Sequence, residues 1–341
     1  MNMKAVYQTV YGASDVLKVG EVARPTEAPA GHLLVKVAYT SANPIDYKVR
    51  EGMMQAPISE ENPLIVGWDV AGQVVSVGAD VTDFAAGDAV FFAGDITKPG
   101  SYAEYAVVDA RLVAKKPTSM GFEDAAALPL TALTAHETLV EKMRLDENSA
   151  EKSLLIVNGA GGVGSVAIQY AKKCLGVGTV IATASRPETV QWCKSLGADH
   201  VINHHEDLLT QLQAIGVPAV DAVAVYHDAG VLGKVMNLLA CDGHVAVVLP
   251  IVPACLENLD VVGAFFKRVS IHMDCMFSRS MHSCKPEKQG AVLAQIAHLV
   301  DSGKIVTTRT KTLPLEQVAA AHDELSSGKT IGKIVLKVSD Q

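Results

Sequence analysis

Up to about Leu112 the apolar and polar positions read as short strands broken by turns, with little helical periodicity. The strand candidates are residues 3–10, 33–39, 70–77, 88–92 and 102–108, punctuated by Gly31-His32, Gly78-Ala79-Asp80 and Ala86-Gly87-Asp88. This pattern predicts an antiparallel barrel. Around Asp124 the texture changes to helical runs through residues 125–136. From Ser153 onward short strands (154–157, 179–183, 200–202, 219–226, 243–249, 268–272) alternate with helical segments such as 188–196 and 231–239. That alternation predicts a doubly wound parallel sheet. The tail adds helices at 289–300 and 315–325 and a last strand at 334–338. The expected fold class is therefore α/β, with one domain at 1–126, completed by 273–341, and the other at 127–272.

The chemistry concentrates where the first strand of the alternating region ends. Leu154-Leu-Ile-Val157 runs directly into Gly159-x-Gly161-x-x-Gly164, and an amphipathic helix follows with Val163, Val166, Ala167, Tyr170, Ala171 and Cys174 on one face. Strand, glycines and helix in that order predict a dinucleotide site. Gly159 permits the tight turn, Gly161 lets the backbone approach a pyrophosphate, and Gly164 lets the helix pack closely on the strand. Gly162 and Val163 lie at the helix start, where free N–H groups face the phosphate charge. The second strand ends in Ala184 and is followed by Ser185-Arg186-Pro187-Glu188. NAD sites place an Asp or Glu at this strand end, about 20 residues past the glycines, to hold the ribose 2′-hydroxyl. A carboxylate there would repel a 2′-phosphate, whereas Arg186 can donate two parallel hydrogen bonds to one and Ser185 a third. NADPH is the expected cofactor. Ser185 and Arg186 also read as the cap of a helix with Pro187 in its first turn, and the two readings are compatible.

With 341 residues, 49% of them apolar and 19% charged, the chain suits two soluble globular domains. A net charge of −8 argues against a nucleic-acid partner. No signal-peptide core opens the chain and no apolar run approaches the ~20 residues of a membrane span, so a cytoplasmic protein without a membrane partner is expected. All six cysteines fall in the second half with no C-x-x-C pair, as reduced and mostly buried thiols would. One soft cluster, His272, Cys275, His282 and Cys284, has a spacing that fits no common structural zinc site.

The order of parts resembles the medium-chain dehydrogenase/reductase superfamily over nearly the whole chain. Asn43-Pro-Ile-Asp-Tyr-Lys-Val-Arg50, Pro63-Leu-Ile-Val-Gly-Trp-Asp69-Val-Ala-Gly72, Leu196-Gly-Ala-Asp-His-Val-Ile-Asn203 and Gly328-Lys-Thr-Ile-Gly-Lys-Ile-Val-Leu336 are similar to its quinone oxidoreductase branch. Thr183-Ala-Ser-Arg-Pro-Glu-Thr189 and Met276-Phe-Ser-Arg-Ser-Met281 resemble a bacterial subgroup named zinc-type alcohol dehydrogenase-like. The resemblance implies a GroES-like β-barrel catalytic domain and a Rossmann cofactor domain. It implies that Asn43, Asp46 and Arg50 line the cleft near the nicotinamide, with Tyr47 or Lys48 as hydrogen-bond or proton donor. Many relatives have a Tyr where Lys48 stands, and an Asn-Pro turn followed by a solvated Lys is the competing reading. It also implies that Thr131 and Thr134 lie beside the nicotinamide. His136, where an aromatic is usual, reads as a packing residue. His204 stands where relatives hold the adenine ribose or 2′-phosphate, with a plain surface histidine as the alternative.

Zinc-using members place a Cys close to Asn43, a Gly-His-Glu at Gly67-Trp68-Asp69 and a four-Cys lobe in the stretch 93–101. This chain has no cysteine before Cys174. A catalytic zinc needs three protein ligands, which Asp69 alone cannot supply, so no metal is expected. The expected function is an NADPH-dependent, zinc-independent oxidoreductase delivering hydride to a quinone or an α,β-unsaturated carbonyl, a small-molecule substrate. The alternatives are an NADPH-binding sensor or structural protein with little turnover, and an alcohol dehydrogenase-like enzyme. Finally, the strand at 268–272 is the last of its sheet and is preceded by the apolar run Val261-Val-Gly-Ala-Phe-Phe266, which favours a homodimer; packing of that run inside the monomer is the alternative.

Overall fold

Strands β1 (Asn2–Tyr7) and β2 (Lys18–Ala23) pair antiparallel as a two-stranded sheet. They are followed by β3 (His32–Ala42), β4 (Asp69–Val77), β5 (Ala89–Ala93), β6 (Tyr105–Asp109) and β7 (Val113–Lys115). The eleven-residue β3 has β4 along one edge and β6 on part of the other. Its register with β4 shifts between Leu34 and Val35 and again between Val37 and Tyr39. Such bulges bend a strand and sharpen its twist, which lets one strand serve two branches of a sheet.

The alternating region gives β8 (Ser153–Val157), β9 (Thr179–Thr183), β10 (His200–Ile202), β11 (Val220–Val225), β12 (Leu239–Val247) and β13 (Ser270–Met273). They form one parallel sheet in the order β10-β9-β8-β11-β12-β13. Strand order reverses next to β8, and open α/β sheets bind their ligands at such a switch point. All five β8 residues are buried, as covered parallel strands require. The tail returns to the first sheet with β14 (Arg309–Pro314) and β15 (Lys333–Lys337), and β15 takes the remaining part of the β3 edge. The structure is a computed structural model. It describes Met1–Ser339, in two compact units: Met1–Leu130 with Phe277 onward, and Thr131–Met276.

Three strands escape the hydrophobic pattern. β2 is largely exposed, β14 (Arg-Thr-Lys-Thr-Leu-Pro) is polar, and β7 is three residues long. The helix expected at 231–239 is shorter: a 3-10 turn at Ala229–Val231 leads into Leu232–Met236, and Leu239 already belongs to β12. There β12 carries an irregularity against β11, and Asp242 takes a positive φ of 58°. The thiols also differ from expectation. All six are free, yet Cys241, Cys275 and Cys284 are exposed and only Cys193 and Cys255 are buried. Cys241 sits in the irregular part of β12, and the other two lie in the polar connection that follows β13.

Candidate active site

The glycine loop of the second unit has the geometry its sequence predicts. Gly164 packs so tightly that a Cβ would fall 2.3 Å from the Asn158 carbonyl oxygen and 2.7 Å from the Gly159 Cα. A Cβ on Gly159 would meet the Ala182 Cβ at 2.6 Å, so the loop lies flat on β9. Asn158 takes the turn at φ 65° and donates its N–H to Thr183 Oγ1 at 3.0 Å. Gly161 caps the helix Gly162–Gln169, and Gly161, Gly162 and Val163 remain partly accessible while Gly164 and the residues after it are buried. The first turn thus presents N–H groups to an anion.

At the end of β9, Ser185 and Arg186 are half-buried. Arg186 is the N-cap of the helix Pro187–Leu196 through its backbone, its N–H donating to Thr189 Oγ1 at 3.1 Å, while Ser185 lies before the cap. The Arg186 side chain pairs with Glu188, Nε to Oε1 at 2.7 Å. His204 is exposed and its ring lies 4.2 Å from that of His205. Partial burial, then His205 and His227, hold the His204 pKa below its usual value. Thr131 and Thr134 are buried on the helix Pro129–His136. His136 is a packing residue here: it is buried, with Nδ1 2.9 Å from the Tyr170 hydroxyl.

In the first unit, Asn43, Asp46, Tyr47, Lys48 and Arg50 sit on or cap the short helix Pro44–Arg50. The structure separates them into two sets. Asn43, Asp46 and Arg50 are at most 3% exposed and are taken up in hydrogen bonds. Asn43 caps the helix reciprocally with Asp46, its N–H donating to Asp46 Oδ2 at 2.7 Å, and its Nδ2 donates to Asp69 Oδ2 at 2.7 Å. Tyr47 and Lys48 are half-buried. Burial raises the Tyr47 pKa, with Glu51 adding to the effect, and lowers that of Lys48 against the pull of Glu51.

Four residues of this site lie outside the sequence expectations: Ser41, Tyr102, His322 and Lys333. The register that sets Ser41 opposite Asp69 and Ala42 opposite Ile334 brings three strands to one point. Lys333 donates to Asn43 Oδ1 at 2.5 Å, to the Ala42 carbonyl at 2.9 Å and to Asp69 Oδ2 at 3.2 Å. Asp69 also accepts from Ser41 Oγ at 2.6 Å and from the Leu130 N–H at 2.7 Å. Zinc does not fit these residues. Both Asp69 oxygens are taken, one of them in part by an ammonium. Trp68 is buried edge-on against Phe277, with ring centres 5.8 Å apart, and offers no ligand. Among the described residues no group of three or more His, Cys, Asp or Glu is gathered to hold a metal.

Two family models match the chain: an alcohol dehydrogenase GroES-like domain over residues 29–118 and a zinc-binding dehydrogenase over residues 196–336. A zinc-type alcohol dehydrogenase-like protein of Staphylococcus aureus is 37% identical over 95% of this chain and 96% of its own length. The chain belongs to the medium-chain dehydrogenase/reductase superfamily. Within it, the chloroplastic NADPH-dependent alkenal/one oxidoreductase of Arabidopsis thaliana is 34% identical over 98% of this chain and 79% of its own length. The crystal structure of the quinone oxidoreductase from Coxiella burnetii superposes with a TM-score of 0.80 at 29% identity, covering 99% of this chain and 100% of that one. The protein is thus an oxidoreductase with the GroES-like and Rossmann domains of the superfamily.

Two buried groups in this site titrate in opposite senses. Burial raises Asp46 from its usual 3.8 to about 7, against the hydrogen bonds from Asn43 and Tyr102. Burial, helped by Arg50, lowers His322 from 6.5 to about 3. Between pH 3.8 and 7 the folded chain keeps a proton on Asp46 that the unfolded chain has released, so this group makes stability fall as pH rises. Between pH 3 and 6.5 the unfolded chain carries the extra proton on His322, so this group makes stability rise. The two offset each other over the shared window. Asp46→Asn is expected to leave a stability that climbs from pH 4 to pH 6.5, and His322→Gln one that declines over that range. Urea midpoints measured against pH check both slopes.

Proposed function

We propose that the protein is an NADPH-dependent, zinc-independent reductase that delivers hydride to a quinone or an α,β-unsaturated carbonyl. The observation that carries this reading is the Lys333 amino group seated among Asn43, Ala42 and Asp69, close to the positions where the resemblance puts the ligands of zinc-using members; burial lowers its pKa, against the pull of Asp69 and Asp46. A donor set already satisfied in this way leaves no means of stabilising an alkoxide by a Lewis acid. A conjugated acceptor needs less, because the charge that develops on its oxygen can be met by hydrogen bonds. The Arabidopsis relative, named for alkenals and enones, supports the acceptor class.

NADPH, when bound, supplies the hydride. Gly162 and Val163 would hold the pyrophosphate through the N–H groups of the helix's first turn, Gly159, Gly161 and Gly164 shape the loop that lets it approach, and Ser185 and Arg186 would hold the 2′-phosphate. His204 would meet the adenine ribose, and Thr131 and Thr134 the nicotinamide end. Asn43, Asp46 and Arg50 fix the helix that carries the donors. Lys48 gives the proton that completes the reduction, because partial burial makes its ammonium the readier acid, while the same effect makes the Tyr47 hydroxyl a poorer one. Tyr47 serves as hydrogen-bond donor to the acceptor oxygen. The free state of all six cysteines fits a reducing, cytoplasmic setting.

The experiment is NADPH oxidation by metal-stripped protein across quinones, enones and alcohol/aldehyde pairs. Turnover of quinones or enones, unchanged by chelator and with well under one zinc per chain, is expected. Stoichiometric zinc lost together with activity on chelation would contradict the reading.

A homodimer through the β13 edge belongs to the same proposal. β13 ends its sheet, and Ile271 and Met273 on it are 43% and 65% exposed. In the helix Val261–Phe266 just before it, Val261, Val262, Phe265 and Phe266 are 66%, 65%, 76% and 75% exposed. An unpaired edge beside so much apolar surface favours self-complementary pairing across a two-fold axis. Light scattering at micromolar concentration is expected to give twice the chain mass, and Phe265→Asp/Phe266→Asp the single-chain mass. A single-chain mass for the unaltered protein would reject the assembly.

A further inference from the structure

A buried hydrogen-bond chain in the first unit starts and ends on the helix Pro44–Arg50. The Arg50 guanidinium has donors and no acceptor, so its 3.3 Å contact from Nη1 to His322 Nδ1 makes that nitrogen the acceptor. A neutral imidazole that accepts at Nδ1 carries its proton on Nε2, which lies 3.1 Å from the Tyr102 hydroxyl oxygen. With its oxygen accepting there, the Tyr102 hydroxyl donates to Asp46 Oδ2 at 2.8 Å. Every bond therefore runs in one sense, from Arg50 through His322 and Tyr102 to Asp46. All four side chains are 3% exposed or less. Arg50 and Asp46 are four residues apart and share one face of the helix. The two links between them come from far away in sequence, His322 from the helix Val318–Ser326 and Tyr102 from the segment before β6. Tyr102 fits because Gly67, at φ +83°, has no side chain: a Cβ there would stand 2.2 Å from the tyrosine ring.

We propose that Tyr102 and His322 are positioning residues of the reaction. They clamp Asp46 and Arg50 from outside the helix and so set where Tyr47 and Lys48 present their donors. This inference rests on the reading of Tyr47 and Lys48 as donors to the acceptor oxygen. Neither Tyr102 nor His322 touches substrate in this account. Their effect falls on the chemical step rather than on cofactor affinity, because the nucleotide-holding residues all belong to the second unit.

The test uses Tyr102→Phe, His322→Leu and His322→Gln in the full chain, with NADPH and 2-cyclohexen-1-one, together with nitrogen-15 NMR of the His322 ring. Glutamine can accept from Arg50 at Oε1 and donate to Tyr102 at Nε2, so it keeps both links that leucine removes. Tyr102→Phe keeps the ring and serves where a His322 variant fails to fold. The expected results are a neutral Nε2–H tautomer of His322 from pH 5 to 8 and a kcat lowered about 10- to 100-fold in Tyr102→Phe and His322→Leu. The NADPH dissociation constant is expected to stay unchanged, and most of kcat to return in His322→Gln. An Nδ1–H tautomer, an ordinary His322 titration near ~6.5, a folded His322→Leu as fast as the unaltered protein, or a His322→Gln no better than His322→Leu would each overturn the inference. Failure of the unaltered chain to reduce any acceptor would overturn the functional reading as well. Turnover that survives loss of His322 would overturn this inference alone.

Discussion

Lys333→Met is expected to destabilise the protein by about 3–5 kcal/mol, the range for removing one partner of a buried ion pair. Lys333 and Asp69 are 3% and 0% exposed. Without the ammonium, Asp69 keeps its bonds from Ser41, Asn43 and Leu130 but holds an uncompensated charge away from water. Asn43 Oδ1 and the Ala42 carbonyl lose a donor as well. In a unit of this size the loss amounts to a fall in thermal midpoint on the order of 10 °C. Asp69→Asn added to Lys333→Met removes the stranded charge and is expected to recover more than half of the loss. A Lys333→Met protein as stable as the unaltered chain would mean that the ammonium is not the cation of this site. Scanning fluorimetry of the three proteins decides it.

Arg186→Ala is expected to remove most of a preference for NADPH over NADH that exceeds tenfold in the unaltered chain, and to leave NADH binding nearly unchanged. A charge-assisted contact to the 2′-phosphate contributes roughly 1.5–3 kcal/mol. In the structure the guanidinium is engaged by Glu188 at 2.7 Å, with side chains 36% and 57% exposed. An exposed pair of this kind contributes about 0–1 kcal/mol, so a 2′-phosphate displaces the carboxylate and the preference survives it. Fluorescence titration with both nucleotides reads the ratio. Equal affinities in the unaltered protein would contradict NADPH selectivity.

How much of this was legible in the chain depended on sequence distance. The strand-glycine-helix unit occupies one short stretch, and each glycine answers to a backbone contact within it or with the next strand, so its pattern and its geometry agree. The helix Pro44–Arg50 was legible as a motif, but not the burial of Asn43, Asp46 and Arg50. Their partners Asp69, Tyr102, His322 and Lys333 arrive from other strands and helices, up to 290 residues away. Lys333 stood in plain view in Thr-Ile-Gly-Lys-Ile-Val-Leu336. A lysine opening an apolar strand reads as solvated until the register of β15 with β3 turns it inward. β2 and β14 escaped for the opposite reason, since strands that bury little carry little hydrophobic signal.

Hydride transfer from NADPH to a conjugated acceptor without a metal is tested most directly by isotope transfer. Metal-stripped protein is supplied with NADPH deuterated at the transferable position of nicotinamide C4 and with 2-cyclohexen-1-one, in ordinary water. The expected product is cyclohexanone carrying one deuterium at the carbon β to the carbonyl, with the added proton at the α carbon drawn from solvent. Cyclohexenol labelled at the carbinol carbon, or NADPH consumed with no deuterium in the organic product, would contradict it.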